Sequence, residues 1–150
     1  MSEFANAPAA DTLDLEQLFA FVAALRCGDF SARLPTDLTG RAGEIAIGLN
    51  RYMHDMESLT SEVTRISNEI RDGVFGGQAE LFLPPGPWRN CVEALNVMEY
   101  SLTGQIRDMA KTTKLMAEGK YDRKITVTCQ GETQTLKDAL NATLERLRTM

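Results

Sequence analysis

Apolar residues fall along this chain at helical spacing, interrupted at regular intervals by glycine. Leu15, Leu18, Val22 and Leu25 recur in steps of 3, 4 and 3, which places them on one face and predicts a helix over roughly 14–26. From Leu49 the steps alternate 3 and 4 without a break through Tyr52, Met56, Leu59, Val63, Ile66 and Ile70. That is a coiled-coil seam, with Leu49, Met56, Val63 and Ile70 at a and Tyr52, Leu59 and Ile66 at d. A third run, Leu95, Met98, Leu102, Ile106, Met109 and Met116, contains two successive steps of 4, a stutter that locally unwinds a supercoil.

The runs belong to a longer repeat. Asn50, Asn96 and Asn141 lie 46 and 45 residues apart, and each follows a leucine: Leu49, Leu95 and Leu140. Gly40, Gly86 and Gly131 stand 10 residues before them. Gly28, Gly73 and Gly119 stand 12 or 13 residues earlier still, each followed two places on by an aromatic: Phe30, Phe75 or Tyr121. One unit of about 45 residues has therefore been used three times. Each copy reads as helix, connector, helix, with Gly28, Gly73 and Gly119 suited to end the first helix in a left-handed conformation. The connectors carry sparse apolar residues: Phe30 and Leu34, then Phe75 and Leu81, then Tyr121, Ile125 and Val127. The alternation Ile125, Val127, Cys129 leaves a strand open as an alternative.

A unit this small cannot close a core by itself. A connector of a dozen residues can span up to about 40 Å, enough to return the chain along its first helix and set the two helices parallel. Two chains then supply four parallel helices, so the expected fold is all-α, a parallel homodimeric four-helix coiled coil repeated end to end. The expected divisions are a disordered tail over 1–12 and units over 13–57, 58–102 and 103–150.

Charge and composition narrow the function. With 16 basic and 21 acidic residues the net charge is −5, which argues against a nucleic-acid or anionic-membrane partner. The longest apolar run, Leu18 to Leu25, has 8 residues against the roughly 20 of a membrane span. The first residues lack a secretory pattern. Cys27, Cys91 and Cys129 are scattered and odd in number, as expected of reduced thiols in a cytoplasmic protein.

In this setting Gly28-Asp29-Phe30-Ser31-Ala32-Arg33-Leu34-Pro35 resembles the start of a HAMP connector. Gly43-Glu44-Ile45-Ala46 with Leu49-Asn50 resembles the start of the HAMP second helix, although Gly40 and Arg41 replace the usual acidic pair. Gly76-Gly77-Gln78-Ala79-Glu80, Trp88, Asn96, Gln105-Ile106-Arg107-Asp108, Lys124-Ile125-Thr126-Val127, Gln130-Gly131-Glu132 and Leu136-Lys137-Asp138 resemble the tandem HAMP arrays of soluble hybrid histidine kinases. The resemblance implies a signal relay joined covalently to a downstream output domain, with no chemistry of its own. It also implies that the acid at the connector end, kept in the third unit as Glu132, helps to hold the connector on the helix. Pro84-Pro85-Gly86-Pro87 replaces that acid in the middle unit, so a different docking is expected there.

The dimer core then comprises Leu49, Tyr52, Met56, Leu59, Val63, Ile66, Ile70, Trp88, Leu95, Leu102, Met109, Met116, Leu140 and Leu147. The connector set comprises Gly28, Phe30, Leu34, Gly73, Phe75, Gly119, Tyr121, Ile125, Glu44 and Glu132. Trp88 falls at an a position aligned with Ala42 and Thr133. It reads as a space-filling core aromatic or, more sharply, as a residue that biases its unit toward one of two packings. His54 falls at the outer f position, in His54-Asp55-Met56-Glu57-Ser58-Leu59, and reads as a surface residue rather than a phosphoacceptor. The scattered cysteines and single histidine support neither a metal site nor a thiol nucleophile, and no cofactor is expected. The glycines over 73–86 lack the lysine and strand of a phosphate loop. A chemoreceptor relay and a ligand-sensing module built on the Trp88 unit are the rival readings. The helical pattern runs on through Arg146-Leu147-Arg148-Thr149-Met150, as in a fragment of a longer receptor or kinase.

Overall fold

The computed structural model describes residues 11–150, so the expected tail lies almost wholly outside the described residues. Four helices follow in order: α1 (Leu15–Cys27), α2 (Gly40–Arg71), α3 (Pro87–Ala117) and α4 (Gly131–Arg148). No strand occurs among the described residues. The alternation at Ile125, Val127 and Cys129 instead makes an irregular connector that buries Ile125 and Cys129 and half-buries Val127. The neighbouring strand that alternation would need is missing, and the alternate residues pack onto helices.

The helix ends follow from local chemistry. The Asp14 carboxylate accepts the Glu16 N–H at 3.2 Å and caps α1. Pro87 occupies the first turn of α3, where a missing N–H costs nothing. Gly28, Gly73 and Gly119 adopt φ of +73°, +78° and +76°. At each, the glycine N–H donates three residues back, to the carbonyls of Leu25, Ile70 and Met116. The next N–H donates five back: Asp29 to Ala24, Val74 to Glu69 and Lys120 to Leu115. This paired closure satisfies carbonyls that would otherwise be left open at a helix end.

The chain forms two compact units, one up to Thr64 and one from Arg65 to Met150, and the division falls within α2. In the first, α1 and the opening of α2 close on Phe21, Leu34, Ala46 and Met53, with Leu25, Phe30 and Leu49 packed around them. In the second, α3 packs against α4, and Met109, Ile125 and Cys129 gather Val127 and Leu140.

The seam residues divide by exposure. Met56, Leu59, Ile66 and Met109 are buried within the single chain. Leu49, Val63, Ile70, Leu95, Leu102, Met116, Leu140 and Leu147 are half-buried. Tyr52 (38% exposed) and Trp88 (49%) are open. Trp88 therefore leaves about half of its surface uncovered by its own chain. Met53 belongs to no predicted seam position yet is wholly buried, because it faces the connector rather than the seam.

Candidate functional site

The three repeated asparagines anchor the three connectors. Asn50 Oδ1 accepts the Leu34 N–H at 2.7 Å, and its Nδ2 donates to the Leu34 carbonyl at 2.9 Å. Asn96 holds Ala79 in the same way at 2.7 and 3.1 Å. Asn141 holds Ile125 at 2.9 and 3.1 Å. A side-chain amide carries one acceptor and a donor side by side, so it can pair both backbone groups of one residue. The clamped residue is buried each time, and a buried peptide group without partners would be costly. Measured from the glycine that ends the preceding helix, Leu34, Ala79 and Ile125 stand in the same register, six residues on. The spacing of the asparagines was visible in the sequence; their partners were not, since those lie 16 or 17 residues upstream on an irregular segment.

The connector residues assemble unevenly around these clamps. Phe30 and Leu34 pack in the core of the first unit, and Ile125 in that of the second. Phe75 and Tyr121 are half-buried. Glu44 and Glu132 are exposed, and among the described residues neither carboxylate reaches a connector. Glu132 lies in the first turn of α4, where a carboxylate facing solvent is favoured by the helix dipole. Other side chains contact the connectors directly. Asp108 accepts the Thr126 and Val127 N–H groups at 3.0 and 3.1 Å and the Arg123 guanidinium at 2.6 Å. Lys137 donates to the Val127 carbonyl at 2.8 Å, and in the first unit Arg33 pairs with Glu57 at 2.9 Å. Burial pushes the Asp108 carboxyl up, but the Arg123 bond, the two N–H groups and the Arg123 charge outweigh it and hold it below the ordinary range.

The middle connector shares the asparagine clamp and adds a second set of contacts. Glu99, 1% exposed, accepts the Gly76 N–H at 2.5 Å and the Thr103 hydroxyl at 2.7 Å through Oε1. Its other oxygen, Oε2, is closed off from solvent and without a hydrogen-bond partner. Burial raises the Glu99 carboxyl, yet the Gly76, Thr103 and Gln78 groups and the Arg107 charge more than reverse that. Arg107 donates to the Phe75 carbonyl at 2.9 Å and Arg65 to that of Gln78 at 2.7 Å. The network itself, through Gly76, Gln78, Glu99, Thr103 and Arg107, forms part of the lining of an open cavity of about 560 Å³.

The remaining candidates stay apart. His54, Cys27 and Cys91 are exposed and Cys129 is buried. Among the described residues no group of histidine, cysteine and carboxylate side chains could hold a metal, and no helix is long and apolar enough to cross a membrane. What recurs is mechanical: a helix, a glycine stop, and a connector clamped by an asparagine of the following helix. HAMP domains relay signals in sensor kinases and chemoreceptors. The HAMP domain family model matches residues 84–149, the segment that holds α3, the third connector and α4.

Proposed function

We propose that the whole described chain is a relay of three HAMP-type units, over about 13–57, 58–102 and 103–150, working as a parallel homodimer. It passes a change in helix packing along the bundle axis to an attached output domain of a cytoplasmic sensor histidine kinase. The observation that carries this reading is the asparagine clamp, which recurs in one register in the segment that matches the family and in the two copies before it. A clamped connector ties two helices of a unit together, so a shift of one is imposed on the other. Apolar seam residues left uncovered within the chain, Tyr52 in the first unit, Trp88 and Met98 in the second and Ile106 in the third, offer a second copy of the chain a surface to close. Cores repack between discrete arrangements rather than deform continuously, which suits a relay.

The test is disulfide cross-linking in a cysteine-free background, with single cysteines introduced from Leu49 to Ile70. Rapid cross-linking at Leu49, Val63 and Ile70, the seam positions left partly open by the single chain, with little at His54, is the expected result. Cross-linking without a heptad period would remove both the dimer and the relay.

A further inference from the structure

The three copies differ in chemistry at one position that is buried in all of them. Three residues after the clamping asparagine stand Met53, Glu99 and Leu144, with exposures of 0%, 1% and 1%. Two copies fill the position with an apolar side chain, and the middle copy fills it with a carboxylate. We propose that Glu99 is a releasable latch on the start of the middle connector. It opens separately from the Asn96 clamp and makes the middle unit the one that yields first.

The chemistry of the pocket supports separate opening. When the latch is closed, Oε1 accepts two hydrogen bonds while Oε2 has none and no access to water. A buried carboxylate oxygen without a donor is destabilising. Opening costs the Gly76 bond but lets water reach Oε2, so the two states are closer in free energy than in an apolar core. An apolar residue has no such return, because exposing Met53 or Leu144 only adds apolar surface to water. The backbone at the latch is two consecutive glycines, whose missing side chains leave it wide conformational freedom: Gly76 has φ +107° and is followed by Gly77. Arg107 grips the Phe75 carbonyl from the same helix, so the latch holds both sides of the Phe75–Gly76 peptide. Asn96, by contrast, pairs with Ala79 through neutral bonds three residues further on. The latch stands whether or not the chain is a relay, and only its use as a gate rests on that reading.

Site-resolved amide exchange on the whole chain tests it. In Glu99→Leu, which installs the residue type of the third copy, the Gly76 amide should lose protection by about tenfold or more, the scale of a lost bond to a charged group. The Ala79 and Ile125 amides should keep theirs. Glu99→Gln, which retains an acceptor oxygen, should restore most of the Gly76 protection. In the unmodified chain, dilute denaturant should speed Ala79 exchange steeply and Gly76 exchange little, the mark of a small local opening. The proposal is overturned by unchanged Gly76 protection in Glu99→Leu, or by loss at Gly76 and Ala79 together. Equal denaturant slopes at the two amides would overturn it too, and that measurement needs no variant to fold.

Discussion

Asn50, Asn96 and Asn141 each satisfy both backbone groups of one buried connector residue, so their removal has a consequence specific to each connector. Replacing any one with alanine should lower unfolding stability by about 1–3 kcal/mol, the cost of leaving buried polar groups unpaired. Exchange should rise at Leu34, Ala79 or Ile125 respectively and not at the other two. Asp108 makes a prediction with a defined sign. Its carboxyl is held below its ordinary value, so the stability it contributes is present above the unfolded value of about 3.9. That stability is lost as pH falls through the lower folded value. Asp108→Asn should therefore reduce the acid sensitivity of the Arg65–Met150 unit, measured as the change in denaturation midpoint between neutral and acid pH. No reduction would mean that Arg123 and the two N–H groups hold the neutral side chain equally well.

At the scale of elements, three helices end on a glycine in the left-handed region with the same pair of closing bonds. A side chain at these positions meets no neighbouring atom within 4 Å, so the cost of substitution is conformational alone. Alanine at Gly28, Gly73 or Gly119 should cost about 1–2 kcal/mol, the left-handed penalty, visible as a lower thermal midpoint with helix content retained. These stops were legible in the sequence because glycine has a local meaning. How near Glu44 and Glu132 come to a connector was not legible in the sequence, because that distance depends on how α2 and α4 are rotated about their own axes. The rotation of α2 and of α3 likewise carries Met53 and Glu99 inward, toward connectors whose course the pattern did not specify.

For the molecule as a whole, Trp88 is a ready reporter. It is the single tryptophan and is 49% exposed in its chain. If two copies close on the seam, its emission should shift to the blue as protein concentration rises, in step with dimer mass by sedimentation. A concentration-independent spectrum with a monomeric mass would leave Trp88 on the surface and refute the proposed assembly.

Periodicity by itself determined the helices and their glycine ends, because each depends on residues within a few turns of one another, and the repeated spacing of the anchors marked the threefold repeat. Register along the repeat also singled out Asn50, Asn96 and Asn141 as special without saying what they hold. Tertiary structure decided the rest: that the asparagines clamp Leu34, Ala79 and Ile125, that Asp108 rather than Glu132 holds the third connector, and that Glu99 takes a place filled elsewhere by Met53 and Leu144. Those pairings join an irregular segment to a helix face well over a dozen residues away in the chain. An irregular backbone carries no period from which its facing residues can be counted, and only packing brings the two together.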